Sequence, residues 1–419
     1  MYGLGEMNVS GGLERERWNM AEYAYKNVPF YREKLQSMGI SWDKLIENGD
    51  WGILPVVEKN EIVEDAGRMI SEEYMAEVAL ERFIHTHTSG STGTFLDVYW
   101  RKEDMLHALI PLWVERWRTA EIRTASRVCE FNTTLADDKY YDIVGNQMIV
   151  SKDRLSADDF EKTYELIRDF KPEWMILHPA IAMMLLKEMK KRNLPALESL
   201  RYIELTGEMA FEGLKKEIEN QWGCVVKMHY GTMEVQSIGY EEGGRYRLFE
   251  ASTYVEVLDE QGQELAEGES GNLYVTSLHN HVMPFIRYGI GDIGYIQTER
   301  QGDKLVRFLV LEKAKKNDWI VLEGDRRVPA DVLLKPIETV NGYYQNVIYQ
   351  FQAVQKSVSQ IEIQIVMDEE FGREKLMRIY EKVIQNTVVR DMNFSFAFSS
   401  CIYPQRKTGK ICWFVNETV

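Results

Sequence analysis

The sequence has 419 residues, of which 45% are hydrophobic and 28% are charged, as in ordinary soluble globular proteins. This length exceeds what one hydrophobic core supports, so two or three domains are expected. The net charge of -16 disfavours binding to nucleic acid or to anionic lipid, because both need clustered Lys and Arg. No apolar run approaches the roughly 18 residues of a membrane helix, and the N-terminus lacks a basic, apolar leader. The sequence therefore predicts a cytoplasmic protein without membrane contact.

Helical periodicity covers residues 13–37, with a break before Pro29. Alternating apolar residues then predict two antiparallel strands, at residues 83–87 and 96–100. The residues between them, 88–94, consist of three threonines, two serines and two glycines. Such a loop can turn backbone N–H groups and hydroxyls toward an anion, although a solvated turn has the same composition. A strand follows the loop, whereas a Walker P-loop needs Gly-Lys-Ser/Thr and a helix, so this loop is of another kind.

Strands and helices alternate between residues 103 and 230, which predicts a mainly parallel sheet flanked by helices. Two of these strands end at turns, one at Gly207-Glu208 and the other at residues 231–234. Ligands of parallel sheets bind beyond the carboxyl ends of the strands. The two turns are therefore candidate binding positions.

The periodicity changes to two over residues 246–296, which predicts an antiparallel β-subdomain. The charged residues 313–318 are the best candidate for a linker, and the rest of the chain predicts a small α+β domain. The expected organisation is an N-terminal domain of residues 1–312, a hinge of residues 313–318 and a C-terminal domain of residues 319–419.

Two pairs of histidines have the spacing His-x-His, His85 with His87 and His279 with His281. Within a strand each pair would place both rings on one face, from which they could chelate a metal. The sequence shows no third ligand for either pair, so ordinary polar roles are expected.

Four short motifs, taken in order, resemble those of the adenylate-forming enzymes, the superfamily of acyl-CoA synthetases, luciferases and peptide-synthetase adenylation domains. Residues 88–94 resemble its Ser/Thr/Gly phosphate loop, and Tyr-Gly-Thr-Met-Glu at 230–234 resembles its Tyr-Gly-x-Thr-Glu motif. Arg-Tyr-Gly-Ile-Gly-Asp at 287–292 is similar to its ribose motif, and Thr-Gly-Lys at 408–410 to its terminal Gly-Lys motif. Three further stretches, residues 23–32, 54–59 and 276–288, resemble signatures of the phenylacetate-CoA ligase branch and its capsular-biosynthesis relatives.

The resemblance implies an α/β fold, with a large N-terminal domain of mainly parallel sheets, an antiparallel β-subdomain and a small mobile α+β C-terminal domain. It implies ATP-dependent activation of a small carboxylic acid to an acyl-adenylate, with release of pyrophosphate, and then acyl transfer, by default to CoA. The residues that it assigns to ATP are Thr88, Ser89, Gly90, Ser91, Thr92, Gly93, Gly207, Glu208, Tyr230, Gly231, Thr232, Asp292 and Lys315.

The resemblance also assigns two catalytic residues. Glu234 would hold Mg²⁺, and Lys410 would bridge the substrate carboxylate and the α-phosphate. Phe131, His178 and Tyr230 are candidates for the acid pocket, whose aromatic character suits an aryl or arylacetyl acid.

Two departures from the superfamily pattern affect these expectations. Ala-Lys-Lys-Asn-Asp at residues 314–318 stands where Gly-Arg-x-Asp-Asp is usual, and lysine lacks the bidentate fork of arginine. The motifs therefore specify the second half-reaction less well than the first, and the acceptor could also be an amine or a carrier protein. Gly239-Tyr240-Glu241 lacks the cysteine that some relatives carry, so no zinc is expected.

A catalytically silent nucleotide-binding relative that acts through partners is an alternative. The presence of Glu234, Asp292 and Lys410 argues against it. The sequence leaves formation of a homodimer open.

Overall fold

The computed structural model describes residues 9–88, 95–132, 135, 139–151, 159–208, 213–315, 318–344, 347–400, 402 and 412–418. In these residues the α-helices are α1 (Val9–Asn27), α2 (Pro29–Ser37), α3 (Trp42–Asn48), α4 (Lys59–Val63), α5 (Met75–Ala79), α6 (Lys102–Ala120), α7 (Phe160–Phe170), α8 (Pro179–Arg192), α9 (Leu214–Trp222), α10 (Leu334–Tyr344) and α11 (Arg373–Ile384). Short 3-10 turns lie at Trp51–Ile53, Ala66–Met69, Glu323–Asp325, Ala330–Leu333 and Glu369–Phe371.

The strands of the same residues are β1 (Ile84–His87), β2 (Asp97–Trp100), β3 (Val128–Asn132), β4 (Tyr141–Val144), β5 (Gln147–Ser151), β6 (Trp174–Leu177), β7 (Tyr202–Thr206), β8 (Val225–Tyr230), β9 (Gly239–Glu242), β10 (Arg245–Leu248), β11 (Thr253–Leu258), β12 (Gly271–Ser277), β13 (Tyr288–Gln301), β14 (Lys304–Lys315), β15 (Trp319–Val321), β16 (Arg327–Pro329), β17 (Ile348–Ser357), β18 (Gln360–Met367), β19 (Asn393–Phe398) and β20 (Phe414–Asn416).

The chain forms two compact units. The first unit comprises Met1–Glu115 and His229–Glu312, and the second comprises Arg116–Met228 and Lys313–Val419. One boundary falls between residues 312 and 313, where the predicted hinge begins, and β14 continues through Lys315. The division into residues 1–312, 313–318 and 319–419 stays a prediction.

Antiparallel strands dominate the first unit, as the period-two pattern predicted. Their order is β11-β12-β13-β14-β10-β9, and β9 pairs antiparallel with the last two residues of β8. The hairpin of β1 and β2 is a separate two-stranded sheet, in the antiparallel pairing expected from the sequence. The N-terminal helices α1 and α2 are separated at Val28, because Pro29 lacks an N–H and starts a new helix at its first position. They contribute to the hydrophobic core of this unit.

A buried arginine lies in the core of the first unit. Arg287 is 2% exposed, and its Nε donates to Glu256 Oε1 over 3.1 Å. The same guanidinium donates to the carbonyl oxygens of Gly52, Leu54 and Gly262. A buried ion pair is stable only when such additional hydrogen bonds satisfy both partners, and here carbonyl groups supply them.

The backbone of Arg287 is also held on both sides. Its N–H donates to Thr276 Oγ1 over 3.0 Å, and its carbonyl accepts from the N–H of Val57 over 2.9 Å. Its φ of 46° is unusual for a residue with a side chain, and such a conformation persists only where the surroundings enforce it. These contacts fix the beginning of β13.

The second unit contains the predicted parallel strands, in the order β7-β6-β3-β5-β4. β3 pairs parallel with β5 and β6, and β6 pairs parallel with β7, whereas β4 pairs antiparallel with β5. The apolar pattern of the sequence does not predict the hairpin of β4 and β5. Helices α7, α8 and α9 supply the core of this sheet, including the buried methionines 183, 184 and 189. A buried pair, in which Arg116 donates twice to Glu204 over 2.6 and 2.8 Å, joins α6 to β7.

The C-terminal part of the second unit is the expected α+β arrangement. Its sheet has the order β19-β18-β17-β20, and α10 and α11 share a hydrophobic core with it. β16 and β20 are too short to give a clear apolar period. The α/β fold class is confirmed.

None of the helices in the described part of the chain is long and apolar enough to cross a membrane.

The buried pair gives a prediction about stability. We expect Arg287→Met to lower the free energy of unfolding by about 3–5 kcal/mol, because it leaves the Glu256 carboxylate buried without its cation. Urea unfolding followed by circular dichroism measures this loss. Arg300→Ala, at an exposed position of the same strand, serves as the control.

The double variant Arg287→Met with Glu256→Leu removes both charges and should recover part of the loss. An Arg287→Met protein that unfolds at the same urea concentration as the unaltered chain would contradict this account.

Candidate active site

The turn after β8 depends on a glycine. A Cβ atom at Gly231 would lie 2.0 Å from the carbonyl oxygen of Gln236 and 3.1 Å from the ring of His229. The turn is closed by the Gln236 N–H, which donates to the carbonyl of Thr232 over 2.7 Å. Trp100 holds the same turn from the β1/β2 hairpin, since its Nε1 donates to the carbonyl of Met233 over 3.1 Å. The close approach of two backbone segments therefore explains why a residue without a side chain stands at position 231.

Two predicted ATP contacts, 62 residues apart, meet in the first unit. Tyr230 donates its hydroxyl to Asp292 Oδ2 over 2.6 Å. The Tyr230 ring lies against that of Tyr246, with centroids 5.5 Å apart and planes at 45°. Burial raises the pKa of Tyr230 well above its ordinary value, and the charge and hydrogen bond of Asp292 raise it further. The Tyr230 hydroxyl therefore keeps its proton at neutral pH and donates the hydrogen bond that orients the Asp292 carboxylate.

Glu234, the predicted magnesium ligand, has a tyrosine partner of its own. Glu234 is 7% exposed, and its Oε1 accepts from the hydroxyl of Tyr288 over 3.0 Å. Burial raises the pKa of Tyr288 well above its ordinary value, and the nearby Glu234 charge adds to this shift. The Tyr288 hydroxyl therefore stays protonated and fixes one oxygen of the carboxylate.

A buried hydroxyl lies in the same turn. Within the described residues, the buried Thr232 Oγ1 has no hydrogen-bond partner. A buried polar group without a partner is costly unless a ligand or water satisfies it. Mg²⁺ is commonly held by one or two carboxylates together with phosphate oxygens, a role that Glu234 can fill. The residues present thus fit a magnesium-bound nucleotide.

Thr88 closes the base of the candidate phosphate loop. Its N–H donates to the carbonyl of Leu96 over 3.0 Å, and its Oγ1 accepts from the Leu96 N–H over 3.0 Å. Lys59 Nζ also donates to this hydroxyl over 2.9 Å, which brings a cation to the base of the loop. Ser89, Gly90, Ser91, Thr92 and Gly93 lie outside the described residues.

Three of the predicted residues in the second unit lie close to one another. Glu208 follows β7 and interacts with the N-terminus of α8, where its Oε2 accepts from the Ala180 N–H over 3.2 Å. Its Oε1 lies 3.3 Å from Nδ1 of His178, so these two predicted residues are neighbours. Gly207 has a φ of 81°, which favours glycine at this turn. A carboxylate at a helix N-terminus stabilises the helix, so Glu208 has a structural contact in addition to its predicted ligand role.

The remaining predicted residues are Phe131, Lys315 and Lys410. Phe131 is 8% exposed and belongs to the hydrophobic core of the second unit. Lys315 is the last residue of β14, and Lys410 lies outside the described residues. The assigned roles of these residues stay predictions.

Sequence reasoning gave no role to Lys59, Tyr246 or Tyr288. Lys59 and Tyr288 lie inside stretches that resemble branch signatures, and this resemblance could have marked them as candidate site residues. Tyr246 lies in a short strand, and its contact with Tyr230 depends on strand pairing that the local sequence does not specify.

Two family models match the chain. The AMP-binding enzyme family matches residues 83–284, and the CapK C-terminal domain matches residues 328–417. The chain is 26% identical to the phenylacetate-coenzyme A ligase of Thermus thermophilus over 395 residues, which cover 90% of this chain and 85% of that protein. It is 25% identical to the phenylacetate-coenzyme A ligase of Escherichia coli over 342 residues, 76% of this chain and 74% of that protein.

The fold is similar to that of a solved 2-hydroxyisobutyryl-CoA ligase in the postadenylation state in complex with R3-HIB-AMP. The TM-score is 0.73 at 15% sequence identity, over 97% of this chain and 89% of that chain. At this identity the similarity shows the fold alone. Both family models and the curated relatives are consistent with the adenylate-forming superfamily, in its phenylacetate-CoA ligase and CapK-like branch.

Proposed function

We propose that this chain is an AMP-forming ligase that activates a carboxylic acid with ATP and transfers the acyl group to coenzyme A. The observation that carries the proposal is the pair of tyrosine–carboxylate contacts in the first unit, Tyr230 with Asp292 and Tyr288 with Glu234. These contacts hold both carboxylates of the nucleotide motifs in defined orientations. The match to the AMP-binding enzyme family and the phenylacetate-coenzyme A ligase relatives support the same activity.

The first half-reaction forms the acyl-adenylate. A carboxylate oxygen of the acid forms a bond to the α-phosphorus of ATP, while the bond from that phosphorus to the pyrophosphate oxygen breaks. Both reactants are anions, so cations and aligned donors must offset their repulsion. Glu234 would hold Mg²⁺, which neutralises charge on the leaving pyrophosphate. Lys410 would place its ammonium between the carboxylate and the α-phosphate.

Recognition of the nucleoside would use the Tyr230–Asp292 pair. Asp292 would accept hydrogen bonds from the ribose hydroxyls, for which a carboxylate has two oxygens. Tyr230 would stack on the adenine, and Gly207 and Glu208 would border the base. Tyr230 also donates a hydrogen bond to Asp292. A shift of the residue that contacts the base would therefore also move the residue that contacts the ribose.

The phosphates would be held by the turn after Gly231 and by the loop that starts at Thr88. The Thr232 hydroxyl, which is buried and without a partner in the described residues, would donate to a phosphate oxygen. Lys59 at the loop base would add positive charge near the β- and γ-phosphates. The loop residues that would supply backbone N–H groups and hydroxyls are Ser89, Gly90, Ser91, Thr92 and Gly93.

The second half-reaction transfers the acyl group. The CoA thiol loses its proton to solvent, its sulfur forms a bond to the acyl carbon, and AMP leaves with the electron pair of the carbon–oxygen bond. Residues 313–318, including Lys315, would form the hinge about which the C-terminal domain of residues 319–419 turns relative to residues 1–312 between the two steps.

The acid is proposed to be aryl or arylacetyl. Phe131, His178 and Tyr230 would line its pocket, and aromatic side chains pack well on an aromatic acid. The curated relatives carry phenylacetate in their names, which supports this class.

The proposal is tested by ATP–pyrophosphate exchange with a panel of aryl, arylacetyl and aliphatic acids. We expect exchange with acids of the aromatic classes and thioester formation when CoA is added to a competent acid. Product formation only with an amine or a carrier protein would show that this compound, and not CoA, is the acceptor. ATP binding without exchange for any acid would instead favour a catalytically silent relative.

Asp292→Asn is the variant that links this activity to the site. Since a hydrogen bond to a charged group contributes about 1.5–3 kcal/mol, the KM for ATP should rise by about tenfold or more. Asp303→Asn, in the exposed turn after β13, is the matched control. An unchanged KM for ATP would show that Asp292 does not bind the ribose.

Tyr288→Phe tests how Glu234 is held. The loss of one donated hydrogen bond should slow exchange by about five- to tenfold and raise the Mg²⁺ concentration needed for half-maximal rate. Tyr295→Phe, later in the same strand, is the control. An unchanged Mg²⁺ dependence would show that Tyr288 does not position the carboxylate.

Gly231→Ala tests the tight turn. Since the added Cβ meets a backbone carbonyl at 2.0 Å, the turn must shift, and exchange should fall by about a hundredfold or more. Gly342→Ala, in helix α10 where a Cβ meets nothing within 4 Å, should leave exchange unchanged. Full activity of the Gly231→Ala protein would contradict the assignment of this turn to the site.

A further inference from the structure

Three potential metal ligands lie together on the exposed hairpin of β1 and β2. His85 and His87 are two residues apart in β1, so both rings leave the same face of the strand. Asp97 is the residue directly opposite His87 in β2. His85 Nε2 lies 3.0 Å from Asp97 Oδ1, and His87 Nδ1 lies 2.6 Å from the same oxygen. The ligating atoms of all three lie within 4.8 Å of one another.

We propose that His85, His87 and Asp97 bind a divalent transition-metal ion of the zinc class. Two imidazole nitrogens and one carboxylate oxygen are a suitable donor set for such an ion. With bonds of about 2.0–2.2 Å to a tetrahedral ion, neighbouring ligand atoms lie roughly 3.3–3.5 Å apart, so small side-chain rotations bring the three into coordination. The side chains are 42%, 61% and 48% exposed, which leaves room for water as a fourth ligand.

Contacts with neighbouring residues orient two of the ligands, His85 and Asp97, before an ion binds. His85 stacks on Tyr99, its partner across the hairpin, with ring centroids 4.8 Å apart and planes at 7°. This stacking restricts the ring orientation before any ion binds, which lowers the entropic cost of coordination. Asp97 Oδ1 lies within hydrogen-bond distance of both rings, so its carboxylate is already oriented toward them.

The second His-x-His pair has different surroundings. His279 Nε2 lies 2.9 Å from the carbonyl of Ala251, and His281 Nδ1 lies 2.9 Å from the carbonyl of His279. Asp104, 3.5 Å from His281, is bound by Arg101 through two hydrogen bonds, and this cation opposes a metal ion there. These rings have the ordinary polar roles expected from the sequence, whereas the hairpin pair converges on a carboxylate.

The position of the cluster suggests what a bound ion would do. His87 and Asp97 are the last paired residues of the hairpin, next to Thr88 and Leu96, whose hydrogen bonds close the loop base. An ion that joins β1 to β2 here would tie the two ends of the loop together. The expectation of no zinc came from residues 239–241, which lack a cysteine that some relatives carry. The hairpin site uses other residues and does not depend on that cysteine.

The test uses the full chain without an affinity tag and without nucleotide, stripped of metal by a chelator. Titration with Co²⁺ should give visible absorption bands at one ion per chain, and Zn²⁺ should displace the Co²⁺. We expect His85→Ala, His87→Ala and Asp97→Asn each to weaken Zn²⁺ binding by at least about tenfold in calorimetry. His107→Ala, at an exposed histidine outside the cluster, should bind as the unaltered chain does.

Thermal unfolding without metal establishes that the variants fold, and added Zn²⁺ should raise the Tm of the unaltered chain and of His107→Ala only. The proposal is overturned if the unaltered chain gives no cobalt spectrum in a large excess of the ion. It is equally overturned if the three cluster variants bind Zn²⁺ as tightly as the unaltered chain, since the ion would then lie elsewhere.

Discussion

The buried contact between Arg287 and Glu256 underlies the geometry of the nucleotide motifs in the first unit. An arginine that is 2% exposed must satisfy its donors inside the protein, and it does so with Glu256 and with carbonyl groups of two loops. The residue after it, Tyr288, begins β13, and Asp292 lies four positions further along that strand. The site carboxylates therefore depend on a polar core contact that excludes water, rather than on a surface loop that could adjust.

Each motif carboxylate in the first unit is held by a tyrosine hydroxyl. Burial and the adjacent negative charge raise the pKa of both Tyr230 and Tyr288, so both hydroxyls are neutral hydrogen-bond donors at neutral pH. A carboxylate fixed in this way keeps its direction. Such preorganisation matters for an adenylating site, because the donors that offset repulsion between two anions must already be in place when the anions meet.

Much of the fold follows from local patterns, whereas the contacts within the site do not. Periodicity predicted the β1/β2 hairpin, the parallel strands β3, β6 and β7 and the antiparallel strands from β11 to β13, because each has several residues with a clear apolar pattern. It missed β16 and β20, whose few residues give no clear period, and the hairpin of β4 and β5. The bond between Tyr230 and Asp292 spans 62 positions, and the motif resemblance implied only that both residues belong to one site. The Glu208 contact with α8 was likewise invisible, because a capping carboxylate far along the chain leaves no local signal.

The two His-x-His pairs show where local sequence patterns stop being informative. Spacing alone treats them alike, since both would place two rings on one side of a strand. The difference is the residue across the sheet, which depends on the strand register. Symmetric pairing of the strands predicted at residues 83–87 and 96–100 would set His87 opposite Leu96, whereas the observed register sets His87 opposite Asp97. A shift of one residue turns a side chain to the other face of the strand, so the predicted bounds alone did not bring Asp97 beside the two rings. A chelating pair in a hairpin is therefore best judged together with the cross-strand residue, because that residue supplies either a third ligand or none.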